Sequence, residues 1–125
     1  MNSLFDLSNK VALVTGGSRG IGEMIAEGYV SSGVRTYITS RKVEACEQTS
    51  KRLSTIGECI AIPSDLSTSD GIDSVVRELK SREQQLDILV HNAGAVWGEA
   101  IDDFPESAWD KVMAINVKAP FFLTQ

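Results

Sequence analysis

Four strand-like apolar runs alternate with helical patterns, and this alternation constrains the fold more than any other feature of the sequence. The runs occupy residues 10–15, 34–39, 58–62 and 86–90. Near-continuous apolar runs of this length are typical of strands that are buried on both faces. Strands that alternate with helices across short turns form a parallel sheet with helices on both sides. The sequence therefore predicts an α/β fold with a doubly wound parallel sheet, as one domain over residues 1–125.

Between these runs, apolar residues recur at helical spacing. The clearest stripe covers residues 72–79, with apolar side chains at i, i+3, i+4 and i+7. Weaker stripes predict three more helices, whose expected core-facing positions are Ile21, Ile25, Tyr29, Val43, Cys46, Leu53, Trp109, Val112, Met113 and Asn116. The last helix is expected to be interrupted near Pro120, because proline lacks an amide hydrogen. The chain reaches Gln125 without a helix stop signal, so we expect it to be cut after the fourth strand and the following helix.

Composition argues against several classes of function. The formal net charge is −5, from 12 Lys and Arg against 17 Asp and Glu, which disfavours nucleic acid as a partner. No apolar run approaches the length of a membrane helix, and the N-terminus lacks the pattern of a signal peptide. The two cysteines, Cys46 and Cys59, lack the spacing of a metal site or a redox motif. We therefore expect a cytoplasmic protein with reduced thiols and without a metal, membrane or nucleic-acid partner.

A glycine-rich turn joins the first strand to the first helix. Residues 15–22 read TGGSRGIG, so Gly16, Gly20 and Gly22 follow a G-x-x-x-G-x-G spacing. Glycines at such a turn let the backbone approach a pyrophosphate, whose charge the free N–H groups and the helix dipole attract. No Gly-Lys-Ser/Thr follows, so the turn is not a P-loop. The turn predicts dinucleotide binding, and the alternative is a glycine-rich turn used only for tight packing.

The end of the second strand indicates which dinucleotide is bound. A site for NAD places an acidic residue about 20 residues beyond the glycine turn, whereas here no acid occurs before Glu44. Arg41 and Lys42 are expected in the first turn of the second helix, where the dipole disfavours cations. The 2′-phosphate of NADP would compensate them, and Arg19 could reach the same phosphate. The sequence thus predicts NADP(H); the alternative is a solvated basic helix start capped by Ser40.

The whole chain resembles one enzyme family. The glycine turn, then Asn92-Ala93-Gly94 after the fourth strand, then Asn116 in the last helix resemble the short-chain dehydrogenase/reductase family in both order and position. The resemblance implies a Rossmann-type fold and an NADP(H)-dependent oxidoreductase that forms homo-oligomers. Within the family, the glycine turn and residues 96–100 are most similar to 3-oxoacyl reductases of the rhamnolipid-pathway type. The implied reaction reduces a small-molecule ketone, with a 3-oxoacyl thioester as the expected substrate.

The resemblance also implies roles for individual residues. The expected cofactor-binding residues are Gly16, Ser18, Arg19, Gly20, Ile21, Gly22, Ser40, Arg41, Asp65, Leu66, Asn92, Ala93 and Gly94. In chain order they would contact the pyrophosphate, the adenosine phosphate, the adenine and the ribose beside the nicotinamide. Asn116 matches the asparagine that holds a water of the proton relay and supports the catalytic lysine. It is therefore the expected catalytic residue of this chain.

Two of these residues, and the neighbouring His91, have a plainer interpretation. Asp65 could simply close a turn after the third strand. His91 stands where the family has a second asparagine, and we interpret it as a hydrogen-bonded structural residue, since no further metal ligands are evident near it. Asn116 should have a defined partner, because burying an unpaired amide costs about 1–3 kcal/mol. That partner could be neighbouring backbone at a helix bend.

The family's proton donor has no match in these 125 residues. It is a tyrosine that precedes a lysine by four residues, whereas Tyr29 and Tyr37 are followed at that distance by Gly33 and Arg41. We therefore expect the complete enzyme to carry its serine, tyrosine and lysine beyond Gln125. We also expect the 125-residue chain alone to be inactive. The alternative is a non-catalytic nucleotide-binding module, which needs only the features present.

Overall fold

The computed structural model describes residues 3–125 and contains one sheet of four parallel strands. In chain order the elements are β1 (Val11–Thr15), α1 (Gly20–Ser31), β2 (Arg35–Thr39), α2 (Val43–Leu53), β3 (Cys59–Ala61), α3 (Ser69–Arg82), β4 (Ile88–Val90), α4 (Glu106–Met113), a π-helical turn (Ala114–Lys118) and α5 (Ala119–Thr124). Short 3₁₀ turns occur at Ser3–Phe5 and Ile101–Asp103. All four predicted strands are present, which confirms the predicted fold class.

The strand order β3-β2-β1-β4 indicates where along the sheet a ligand is expected to bind. From β1 the chain moves outward to β2 and β3, and then returns to pair β4 with the other side of β1. In open parallel sheets, ligands bind outside the carboxyl ends of the strands at the point where the order reverses. Here that point lies between β1 and β4, directly beyond Thr15 and Val90.

Two apolar cores hold the helices against the sheet. Val14 and Ile38 point to one face, where they pack with Ala26 and Val30 of α1. Their strand neighbours point to the opposite face, because successive side chains alternate along a strand. That second core contains Leu13, Tyr37, Ile72, Val75 and Leu123. The sheet is therefore covered on both faces, as its near-continuous apolar strands predict.

The predicted apolar side of α1 is wrong in part. Ile21 is 65% exposed, and the buried residues of the helix are Gly22, Ala26 and Val30. These positions are four residues apart and carry small side chains. The small side chains let α1 lie close to the sheet and the glycine turn, so the bulkier Ile21 is turned outward.

The last helix is interrupted near Pro120, as predicted. A π-helical turn at Ala114–Lys118 precedes α5, in which Pro120 occupies the first turn. The backbone stays helical through the junction, so the π-helical turn is the place where the regular hydrogen-bond pattern changes ahead of a residue that has no N–H. The expected core-facing stripe of this helix is wrong within the described residues, because Trp109 is 60% exposed and Asn116 is also exposed. Within residues 3–125, no helix is long and apolar enough to cross a membrane.

A polar cluster ties the end of α3 to the start of β2, at the edge opposite the carboxyl ends. The Glu83 carboxylate accepts hydrogen bonds from Arg35 Nη2 at 2.7 Å and from Tyr37 Oη at 2.5 Å. Arg35 and Tyr37 together hold the pKa of Glu83 below its ordinary value of 4.5. Burial, reinforced by Glu83, raises the pKa of Tyr37 to about 12.

Glu83→Gln is expected to lower the free energy of unfolding by about 1–2 kcal/mol at pH 7, because a charged acceptor of two hydrogen bonds is lost. The carboxylate's contribution is complete above pH 4.5 and is lost as the pH falls through the lowered folded-state pKa. Urea unfolding at neutral and acidic pH measures both effects. Glu78→Gln is the control, since its exposed pair with Arg82 should contribute less than about 0.5 kcal/mol. Equal losses in the two variants would contradict the prediction.

Candidate cofactor-binding site

The carboxyl ends of β1, β2 and β4 open onto a cavity of about 620 Å³. Its walls come from the glycine turn, the ends of β2 and β3, the segment after β4, and one side of α4 and the π-helical turn. All predicted cofactor-binding residues except Ile21 and Gly22 line this cavity. Segments far apart in the chain therefore meet at the point where the strand order reverses.

The glycine turn has a left-handed backbone at two of its glycines and a very close internal contact. Gly16 and Gly20 have φ angles of +64° and +58°, in the left-handed region that favours glycine. A Cβ atom on Gly22 would lie 2.0 Å from the carbonyl oxygen of Gly16. Gly22 thus lets α1 start against the turn, whereas Gly20 leaves open space in front of the helix. The spacing that predicted pyrophosphate binding therefore also serves packing.

Thr15 holds the segment after β4 against the glycine turn. Its Oγ1 accepts hydrogen bonds from the N–H groups of Asn92 at 3.0 Å and Ala93 at 2.9 Å, and donates to the Val90 carbonyl at 3.3 Å. The Asn92 side-chain amide in turn donates to the Gly16 carbonyl at 3.1 Å. The two walls of the cavity are thereby joined across β1 and β4.

Three cations stand around the end of β2. Arg19, Arg41 and Lys42 line the cavity and are exposed, and none of them forms an ion pair within residues 3–125. The helix α2 starts at Val43 with Lys42 at its N-cap, so Arg41 precedes the helix instead of lying in its first turn as predicted. Mutual repulsion of three cations favours an anion among them.

Two buried hydroxyl groups at the same place have no oxygen or nitrogen partner in the described part of the chain. They are the Oγ1 of Thr39 and the Oγ of Ser40, and both residues line the cavity. The Ser40 hydroxyl lies beside the buried Cys46 thiol, a weak hydrogen-bonding group. Ser40 therefore does not cap α2, and that part of the alternative interpretation is wrong. An unmade hydrogen bond of a buried hydroxyl costs about 1–3 kcal/mol, so a polar ligand at this position would be stabilised.

Asp65 closes a turn and also lines the cavity. One of its oxygens accepts hydrogen bonds from the backbone N–H of Ser67 at 2.9 Å and from the Ser67 hydroxyl at 2.6 Å. These bonds lower the pKa of Asp65, with a smaller effect from Arg41. Leu66 beside it is buried and adds an apolar wall. The turn interpretation is confirmed, and the adenine contact remains a prediction.

Asn116 clamps the segment after β4. Its Oδ1 accepts from the N–H of Ala95 at 2.9 Å, and its Nδ2 donates to the Ala95 carbonyl at 2.8 Å. Both polar atoms of the side chain are thus taken by one backbone residue, as the helix-bend interpretation expects. The role in a proton relay remains a prediction.

His91 has the structural partner expected of it. Its Nε2 lies 2.7 Å from the Thr124 hydroxyl, which joins β4 to α5, and desolvation lowers its pKa. In the part of the chain that the structure describes, no three His, Cys, Asp or Glu side chains are arranged to hold a metal ion. Cys46 and Cys59 are both buried and free, and burial raises the pKa of each thiol.

Several residues of the cavity were not predicted from the sequence. Thr39 belongs to a buried strand, so only its orphaned hydroxyl distinguishes it. Lys111 lies on α4 without any motif, yet it lines the cavity, and its Nζ is 5.8 Å from the centre of the Trp97 ring. No local signal in the sequence marks a residue that a helix brings from this far along the chain.

Comparison with known proteins gives one consistent relationship. The sequence profile of the family described as short chain dehydrogenase matches residues 10–125. The rhamnolipids biosynthesis 3-oxoacyl-[acyl-carrier-protein] reductase of Pseudomonas aeruginosa is 48% identical over 125 residues, which cover 100% of this chain and 49% of that protein. The chain spans about half the length of the curated relatives it matches.

Two solved structures show the same architecture. The Pseudomonas aeruginosa RhlG/NADP active-site complex has a TM-score of 0.94 and 48% identity, covering 100% of this chain and 49% of that one. A metagenomic short-chain oxidoreductase in complex with NADP has a TM-score of 0.89 and 38% identity, covering 94% of this chain and 54% of that one. Since the family profile matches almost the whole chain and the sheet and glycine turn agree with it, this chain belongs to the short-chain dehydrogenase family.

Proposed function

We propose that the cavity binds NADP(H), with the 2′-phosphate of the adenosine among Arg19, Arg41 and Lys42. The observation that carries this proposal is a set of three cations that form no ion pair within residues 3–125 and lie at the same cavity as the buried hydroxyls of Thr39 and Ser40, which have no oxygen or nitrogen partner there. A phosphate supplies both the negative charge and the acceptor oxygens that this group of residues lacks. NAD has only a ribose hydroxyl at that position, which would leave the cations uncompensated.

The rest of the cavity suits the remaining parts of the cofactor. Backbone N–H groups at the start of α1 would hold the pyrophosphate, with Gly20 leaving room for its approach. Asp65 and Leu66 would lie against the adenine, and residues 92–94 against the ribose beside the nicotinamide. Two solved relatives are described as NADP complexes, which supports the same assignment.

The proposed reaction of the complete protein is the reduction of a ketone to a hydroxyl. Bound NADPH would supply the hydride, and the residues of this chain would place the cofactor and shape one side of the site. The proton would come from a tyrosine assisted by a lysine in the remainder of the enzyme. The similarity to a 3-oxoacyl reductase suggests a 3-oxoacyl thioester as the substrate.

Titration of the full-length protein with NADPH and NADH, followed by a turnover assay, tests the proposal. We expect NADPH to bind at least about 10-fold more tightly than NADH, which corresponds to one charge-assisted contact of about 1.4 kcal/mol. We also expect oxidation of NADPH when a 3-oxoacyl thioester is added. Tight binding without turnover on any carbonyl would favour a non-catalytic nucleotide-binding module, and equal affinities would contradict the NADP assignment.

Asn116→Ala in the full-length enzyme is expected to lower kcat by about 10- to 100-fold, because a small displacement of the site is costly to catalysis. The affinity for NADPH should stay within about 2-fold, since Asn116 does not line the cavity and its side chain is hydrogen-bonded to the Ala95 backbone. Asn116→Asp keeps the acceptor but loses the donor, so its kcat should be intermediate. Steady-state kinetics together with NADPH titration measure the difference. Full activity of the alanine variant would leave Asn116 with a purely structural role.

A further inference from the structure

We propose that Thr49 is a positioning residue that sets the preference for NADPH by holding the glycine turn against α2. Thr49 lies in the middle of α2 and is 7% exposed. It does not line the cavity, so it would act on the cofactor only through other residues. This inference rests on the proposed NADP(H) function and deepens it.

The contact that carries the inference is a single short hydrogen bond. The Thr49 hydroxyl donates to the carbonyl oxygen of Ser18 at 2.7 Å. Ser18 directly precedes Arg19, and the peptide between them is planar and trans. A carbonyl held towards α2 therefore forces the Arg19 N–H to point away from α2. The bond thus restricts the rotation of this peptide and with it the direction in which the Arg19 side chain leaves the turn.

The same helix also places the other two cations. Arg41 and Lys42 immediately precede α2, and both line the cavity together with Arg19. The hydrogen bond from α2 to Ser18 therefore fixes the position of Arg19 relative to Arg41 and Lys42. NADH has no 2′-phosphate, so its affinity should depend little on how these three cations are placed.

A separate connection, which joins α2 to α1 rather than to the glycine turn, provides a control. Arg52 of α2 forms ion pairs with Glu23 at 2.9 Å and with Glu27 at 3.4 Å on α1. None of these three residues lines the cavity. Arg52→Gln should therefore weaken the attachment of the two helices without moving the glycine turn.

The test measures the dissociation constants of NADPH and NADH for the full-length protein and its variants. Thr49→Val keeps the shape of the side chain but removes the donor, and we expect it to weaken NADPH binding about 5- to 10-fold and NADH binding less than about 2-fold. Thr49→Ser keeps the hydroxyl, so its ratio of the NADPH and NADH dissociation constants should equal that of the parent protein. Arg52→Gln should also leave this ratio unchanged. Thr49→Ala removes the donor without a methyl group facing the carbonyl and replaces Thr49→Val if that variant does not fold.

A double-variant cycle tests the route through Arg19. In an Arg19→Gln background, Thr49→Val should no longer change the ratio of the two constants, because the cation that it positions is gone. Equal losses for both cofactors, an unchanged ratio in Thr49→Val, or a change that persists in the Arg19→Gln background would each overturn the inference. Failure of the proposed function is distinguishable, because it would appear in the parent protein as a lack of preference for NADPH.

Discussion

Gly22→Ala is expected to disrupt the glycine turn and abolish cofactor binding. The new Cβ would lie 2.0 Å from the Gly16 carbonyl oxygen and 2.5 Å from the Asn92 side-chain nitrogen. The first of these neighbours is backbone at a residue with a positive φ, so it cannot move without changing the turn. We expect a loss of about 3 kcal/mol or more in the free energy of unfolding, at the upper end of overpacking effects. NADPH affinity should fall below detection, because the turn would no longer present its N–H groups.

Gly28→Ala is the matched control, because it makes the same chemical change on the same helix. A Cβ on Gly28 would have no atom within 4 Å, and its φ is not positive. Alanine in a helix reduces the freedom of the unfolded chain, so this variant should be more stable by about 0.4–1 kcal/mol and should bind NADPH normally. Chemical denaturation and NADPH titration of both variants measure the contrast. A Gly22→Ala protein that folds and binds like its parent would refute the assigned role of Gly22.

Arg41→Asp should reverse the cofactor preference. The change replaces a cation of the cavity with an anion beside the proposed 2′-phosphate, so NADPH affinity should fall about 100-fold. NADH affinity should be retained or should rise a few-fold, roughly the effect of one hydrogen bond, because a carboxylate here can accept from the ribose 2′-hydroxyl. Dissociation constants for both cofactors, measured at the same ionic strength, give the ratio directly.

Arg77→Asp controls for the change in net charge. Arg77 is exposed on α3 and does not line the cavity, so the same substitution there should alter both affinities by less than about 2-fold. If Arg41→Asp leaves the preference unchanged, or if Arg77→Asp reproduces its effect, the phosphate is not held at the start of α2.

The strands, their parallel arrangement and the glycine turn could be predicted from the sequence because they depend on local patterns, whereas most other residues of the cavity were implied by the family resemblance. Continuous apolar runs are a consequence of burial on both faces, and the glycine spacing reflects the geometry of one turn. The residues that follow the strands were expected to bind one cofactor because the chain resembles the short-chain dehydrogenase/reductase family. Among them, Arg41 and Asp65 lie 24 residues apart in the chain and line the same cavity.

Other features were predicted wrongly or not at all, because they depend on contacts between distant segments. Helical spacing placed Ile21 in the core, but the small residues of α1 face the sheet, since only they allow so close an approach. Asn116 was expected to be buried, whereas it is exposed and bound to the Ala95 backbone. Lys111 and Thr39 became visible only as lining residues of the cavity.

By itself, the sequence determined that this chain forms a doubly wound parallel sheet with a glycine turn suited to a dinucleotide, because periodicity and turn chemistry are properties of neighbouring residues. Only the tertiary structure decided what each polar group does. The Thr15 hydroxyl is hydrogen-bonded to the segment after β4, and the Thr49 hydroxyl is hydrogen-bonded to the glycine turn. The Ser40 hydroxyl is buried at the cavity with no oxygen or nitrogen partner in the described residues. Hydrogen bonds between segments that are 31 or 77 residues apart depend on how the helices pack on the sheet, and no local pattern encodes them.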